Sequence, residues 1–209
     1  MLTPTIPIIE DGPESSHFVV FLAHGAGAGK GHPWMQSVAR GLASKGLRVI
    51  RFDFPYMEKR TATGVKYPPD RMPALLDRFE RIASKVPSER RIVAGKSMGG
   101  RVAVRVAQTL GAAKLLVFGF PMHPLGKPEL LRIDELKQLK LPSLIIQGER
   151  DPMGSPALFN QLADSLPVTL RVRLVPDGDH SFKPRKASGR TWEQNVDEAV
   201  AWAAKFCLT

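Results

Sequence analysis

The stretch RRIVAGKSMGGRVAV, Arg90 to Val104, joins a β-branched apolar run to a segment whose apolar residues recur at spacings of three and four. The first half reads as a buried strand and the second as a helix. At the junction, Gly95-Lys96-Ser97-Met98-Gly99 spells G-x-S-x-G. The strand-to-helix setting gives this short pattern its meaning: the serine stands on a sharp, strained turn, and the small residues around it let strand and helix approach closely. A helix that begins just after Ser97 also brings free N–H groups and a partial positive charge to the hydroxyl. Ser97 is the candidate nucleophile.

Serine is a poor nucleophile at neutral pH, so this assignment calls for a histidine base and a carboxylate that fixes the histidine's tautomer. Both are expected downstream, acid before base, each just past a strand. LIIQGERDPMG offers Asp151 and VPDGDHSF offers His180, giving the order Ser97, Asp151, His180. Glu149 is the competing acid, but Asp151 precedes Pro152 in a turn able to aim its side chain. Asp177 and Asp179 read as the acidic residues of a solvated Asp-Gly turn. His123, in FGFPMHPLGKP, precedes the acid in chain order and is not assigned as the base.

Upstream lies the glycine-rich stretch LAHGAGAGKGHPW, Leu22 to Trp34. A phosphate-binding G-x-x-x-x-G-K-[ST] loop fails here, because His24 occupies the leading glycine slot and Gly31 the hydroxyl slot. The dinucleotide pattern G-x-G-x-x-G fails at Lys30 when begun at Gly25, and at His32 when begun at Gly27. His24 and His32 have no cysteine or acidic partner at a ligand spacing, so neither a metal nor a cofactor is expected.

The chain has 209 residues, 43% of them apolar, which suits one sizeable core and a single domain over 1–209 with 1–16 as an N-terminal extension or edge strand. A lone cysteine, Cys207, rules out an internal disulfide and reads as structural. No window approaches the roughly 18 consecutive apolar residues of a membrane span, and the N-terminal residues do not resemble a signal peptide. A cytoplasmic protein, monomeric or a small homo-oligomer, is expected. The net charge of +10 favours anionic partners. Aromatics are only 7% and the basic residues are spread along the chain, which argues against nucleic-acid binding. The densest basic region, Met57 to Arg71, reads as a solvated loop.

HFVVFLA, LRVIRF, RRIVAG, KLLVFGF, LPSLIIQ and TLRVRLV read as strands, most of them buried on both faces as in a parallel sheet. Between them, WMQSVARGLASKG, MPALLDRFERIASKV, MGGRVAVRVAQTLG, SPALFNQLADSLP and TWEQNVDEAVAWAAKF read as helices. The alternation predicts a three-layer α/β/α sandwich with a mostly parallel sheet of about six or seven strands. Two connections are longer than it requires, Asp53 to Met72 and Pro121 to Leu141. Both follow C-terminal strand ends, where open α/β sheets place ligands. From them Tyr56, Met57, Phe120, Pro121 and His123 are taken as the candidate substrate wall.

LAHGAGAG, GKSMGG, QGERDPMG and DGDHSF together resemble the α/β-hydrolase superfamily over about residues 17 to 206. More narrowly, the chain is similar to the small dienelactone-hydrolase-like branch. It also looks like bacterial relatives of testis-expressed protein 30 and of the third regulatory subunit of the NSL histone acetyltransferase complex. FDFPYMEKR and FPMHPLGKP look particular to that group. The resemblance implies a compact hydrolase fold without a large cap and a small-molecule acyl substrate, an ester or thioester. In this chemistry Ser97 attacks the acyl carbonyl, His180 takes the serine proton and Asp151 orients His180. The oxyanion falls to the Met98 N–H and one from the glycine loop, Ala26 first, with Gly25 or Gly27 as alternatives; Lys30 has no part. Two other functions stand as alternatives: a small-peptide hydrolase, which shares every catalytic residue, and a non-catalytic hydrolase-fold protein holding an anionic partner.

Overall fold

A computed structural model describes residues 6–88 and 90–209; residues 1–5 of the expected N-terminal extension lie outside the described residues. Seven strands form one sheet: β1 Ile8–Asp11, β2 Phe18–Ala23, β3 Arg48–Phe52, β4 Arg90–Lys96, β5 Lys114–Phe118, β6 Ser143–Gly148 and β7 Leu170–Val175. The helices among the described residues are α1 Pro33–Ala43, α2 Pro55–Thr63, α3 Met72–Lys85, α4 Met98–Val106, α5 Asp134–Lys137, α6 Pro156–Gln161 and α7 Trp192–Leu208. Strand order is β1-β3-β2-β4-β5-β6-β7, parallel throughout except for the antiparallel edge strand β1.

The period of two along the strands sorts side chains into two core layers. In β2, Val19, Phe21 and Ala23 enter one layer with Phe79 of α3 and Val102 of α4, while Val20 and Leu22 enter the other with Val38 of α1 and Val196 of α7. Each layer is thus closed by helices on its own side of the sheet, the three-layer sandwich expected.

Two features of the long connections differ from the sequence reading. Asp53 to Met72 is not all loop: Pro55, with its fixed φ, opens α2, and Gly64, at φ 72°, ends it in a left-handed cap. The basic region from Met57 therefore begins as a helix, its outer face exposed from Thr61 onward. Pro121 to Leu141 contains the single turn α5, and Leu136 on it is buried. The helix expected over SPALFNQLADSLP is split into α6 and a short 3₁₀ turn, Ala163–Ser165.

The strand order fixes where loops converge. From β2 the chain moves to β3 on one side and returns to β4 on the other, so β2 and β4 are neighbours whose following segments diverge. Such a switch point opens a crevice at the C-terminal strand ends. The glycine loop leaves β2 there, and Ser97 leaves β4.

Candidate active site

Ser97 has φ 53° and ψ −116°, a conformation costly for a residue with a side chain. Close packing around it holds this turn. A Cβ on Gly95 would lie 2.2 Å from the backbone of Gly99, and one on Gly99 would lie 2.5 Å from the carbonyl oxygens of Ala23 and His24. Glycine at both positions lets α4 pack onto β4 and β2, and the serine is left projecting from the turn. Its Oγ lies 2.9 Å from His180 Nε2.

His180 Nδ1 donates to Asp151 Oδ2 at 2.6 Å. Asp151 is 1% exposed, and its carboxylate has other donors: Gln147 Nε2 on Oδ2 at 2.7 Å and the Met153 N–H on Oδ1 at 2.9 Å. A buried carboxylate satisfied in this way is held in one orientation. With the Nδ1 proton on its own ring and directed at Asp151, His180 presents Nε2 as an acceptor to the serine hydroxyl. Glu149 instead accepts the Asp177 N–H at 2.7 Å, and Asp177 pairs with Arg185. Asp179 Oδ1 accepts the N–H groups of Ser181 and Lys183 and so shapes the turn that carries His180.

Two positioning groups were not singled out in the sequence. Lys96, only 8% exposed, donates from Nζ to the His180 carbonyl and lies over the faces of Trp34 and Phe182. Burial drives its ammonium from the ordinary 10.5 down to about 8, against the opposing pull of Asp151 and Asp179. Asn195, fully buried on α7, donates to the carbonyls of Pro176 at 3.1 Å and Phe182 at 2.8 Å, tying both ends of the His180 turn to the helix. Its signal was present in the sequence: a polar residue in line with Ala199, Ala203 and Cys207 on the buried stripe.

A cavity of about 400 Å³ opens beside Ser97 and His180. Residues 25–28 form one wall, and Trp34, Met35, Lys96 and Met153 line much of the rest. Gly25 and Ala26 line the cavity; Met98 does not, but its N–H is the first of α4. Among the described residues neither the Ala26 N–H nor the Met98 N–H has a partner within the chain. The proposed substrate wall needs correction. Tyr56, Met57, Phe120, Pro121 and His123 are all buried, and none lines this cavity. Tyr56, Met57 and Phe120 are drawn into the core layer shared with α3 and α4, and the His123 ring turns back on the Pro124 carbonyl at 2.8 Å.

No group of three or more His, Cys, Asp or Glu side chains among the described residues is arranged to hold a metal ion. No helix among them is long and apolar enough to cross a membrane. Cys207 is buried at the end of α7, and burial pushes its thiol up to about 12.

This sheet order, with a serine on a strained strand-to-helix turn at its switch point, defines an α/β hydrolase-type protein. The chain belongs to the α/β-hydrolase family: the family model for the alpha/beta hydrolase domain matches residues 16–208. Among solved structures it is similar to dienelactone hydrolase from Anabaena variabilis, at 20% identity and TM-score 0.72, over 96% of this chain and 90% of that one. An α/β serine hydrolase without lid from Xanthomonas campestris matches at 20% identity and TM-score 0.69, over 94% and 88%. The thioesterase domain of the curacin biosynthetic pathway matches at 18% and TM-score 0.67, over 97% and 94%. At these identities the likeness is one of fold.

Proposed function

We propose that this protein is a serine hydrolase acting on carboxylic esters or thioesters through an acyl-enzyme. It would work as one α/β-hydrolase domain in the cytoplasm. The observation that carries this reading is the unbroken series Ser97 Oγ, His180 Nε2, His180 Nδ1, Asp151 Oδ2, with spacings of 2.9 and 2.6 Å across its two hydrogen bonds, at the edge of a cavity.

Ser97 Oγ attacks the acyl carbon as its proton passes to His180 Nε2. The carbonyl electrons move onto oxygen, where the Ala26 and Met98 N–H groups stabilise them; each such donor is worth about 3 kcal/mol in the transition state. His180 then returns the proton to the departing alcohol or thiol, and the acyl group stays on Ser97. Water repeats the sequence: His180 takes its proton as hydroxide adds to the acyl carbon, and then returns that proton to Ser97 Oγ as the bond to serine breaks and the acid is released. Asp151 stabilises the imidazolium formed at each stage without taking its proton.

A fluorophosphonate probe is expected to label the wild type and not Ser97→Ala, and the same variant is expected to lose turnover across a panel of short-chain esters and thioesters. No labelling and no hydrolysis by the wild type would sink the proposal. Hydrolysis of small peptides in place of esters would move the activity to the peptidase class with the same residues.

A further inference from the structure

Tyr56 and Met57 were expected to face substrate, yet several polar groups of the segment RFDFPYMEKR, Arg51 to Arg60, bond the glycine loop instead, while Glu58 pairs with Arg78. The Ala26 carbonyl accepts the Tyr56 hydroxyl at 2.9 Å, and the Gly25 carbonyl lies 3.2 Å from the same hydroxyl. Gly25 also accepts His24 Nδ1 at 2.7 Å. The His24 tautomer is fixed from behind, since its Nε2 accepts the Phe54 N–H at 3.0 Å and the proton must therefore sit on Nδ1. Arg60 reaches the Gly27 carbonyl at 3.2 Å, and Arg51 reaches that of Lys30 at 2.6 Å. Asp53 takes both the N–H and the Nζ of Lys30 at 2.7 Å, so Lys30 serves to anchor the loop.

Resting on the hydrolase reading, we infer that Tyr56 and His24 are positioning residues that aim the loop's oxyanion donors. In a trans peptide the C=O and N–H point in opposite directions, and the described residues contain no cis peptide. Holding the Gly25 and Ala26 carbonyls against His24 and Tyr56 therefore turns the Ala26 and Gly27 N–H groups the other way. Residues 25–28 line the cavity with Ser97, and the pinned carbonyls are bonded to the buried side of the loop.

Something must impose this orientation. Glycine on either side of Ala26 leaves both peptides free to rotate. A Cβ on Gly27 would meet nothing within 4 Å, and one on Gly25 would make only ordinary contacts at 3.5 Å, so packing alone does not restrain them. Two side-chain donors supply the restraint. Burial, with the Asp70 and Asp53 carboxylates nearby, pushes the phenol above its ordinary range, so it remains a donor well into alkaline solution. Burial likewise holds His24 below its ordinary value, keeping the neutral ring that can donate from one nitrogen and accept at the other.

The test is Tyr56→Phe in the full-length protein, which keeps the ring and removes one hydroxyl. With p-nitrophenyl acetate, kcat is expected to fall at least tenfold while KM stays within twofold and the urea midpoint shows the protein folded. Unchanged kcat overturns the inference, and so does a raised KM with kcat intact, which would make Tyr56 a substrate contact. His24→Gln, which retains a donor and an acceptor, is expected to keep more activity than His24→Leu; equal loss in the two counts against the hydrogen-bonding role. Ser97→Ala is run in parallel. If wild-type turnover does not depend on Ser97, the hydrolase reading fails, and crystal structures of wild type and Tyr56→Phe decide the pinning alone. A rotated or doubled Ala26-Gly27 peptide in the variant supports it, and an unchanged peptide overturns it.

Discussion

Lys96→Met probes whether a buried ammonium sits behind the histidine. Lys96 is 8% exposed, and its acidity moves from 10.5 to about 8, chiefly through desolvation. At about 1.4 kcal/mol per tenfold change, keeping this lysine charged at neutral pH costs the folded state about 3 kcal/mol. The sign comes from proton counts. In the unfolded chain the lysine keeps its proton to about pH 10.4, whereas the folded chain begins to release it near 8. Between those values the unfolded state binds more protons, so stability rises with pH across that window. Below pH 8 both states are protonated and the full cost remains. The thioether of the variant does not titrate, and its loss of the bond to the His180 carbonyl is independent of pH, so comparison of the two proteins isolates the effect. From pH 7 to 9.5 the wild type should gain about 2 kcal/mol over the variant. With a urea slope of about 2 kcal/mol/M, the difference between the two midpoints should change by about 1 M. A difference that stays flat over this range, or moves in the opposite sense, refutes the buried-charge account of Lys96.

Asn195→Ala leaves the Pro176 and Phe182 carbonyls without their α7 donor and should cost about 3 kcal/mol in urea unfolding, with a lower kcat because the His180 turn loosens; an unchanged midpoint would show that the turn holds itself. Gly99→Ala places a methyl 2.5 Å from two backbone oxygens that cannot rotate away, and should destabilise the fold by about 3 kcal/mol or more. A denaturation midpoint equal to that of the wild type would show that α4 is free to move off β2.

Five of the six parallel strands were legible because burial on both faces demands continuous apolar runs, and β-branched residues mark them as strands; β7, at the sheet edge, shows instead the alternating pattern of a half-exposed strand. The meeting of Ser97, Asp151 and His180 was legible for a related reason: each comes just after a strand, and parallel strands deliver their C-terminal loops to one edge of the sheet. β1 was harder to read, since four residues, Ile8-Ile9-Glu10-Asp11, carry too short a pattern to separate an edge strand from a tail. α2 offered a Pro start and a Gly stop, but only Tyr56 and Met57 on it are buried, so it lacks an apolar stripe. Lys96 fills a variable slot of its motif, and nothing in G-x-S-x-G indicates that the side chain there runs under His180.

The misplaced substrate wall has a single physical cause. Sequence locates a loop at the functional edge of the sheet but does not give the direction of its side chains. Tyr56, Met57 and Phe120 are among the most apolar residues of their loops, and burial of apolar area is the largest favourable term open to them. They join the layer beneath α3 and α4 because it lies within reach. That leaves their polar neighbours to satisfy the loop beside them, which is why Asp53 and Arg60 bond residues 27 and 30. The cavity consequently takes its apolar lining from the start of α1, Trp34 and Met35, and from Met153 after β6. These residues line the cavity together with Ser97. Under the hydrolase reading, acyl-chain discrimination belongs to Trp34, Met35 and Met153, and Tyr56 with its neighbours Asp53 and Arg60 acts on the reaction through the glycine-loop backbone it holds.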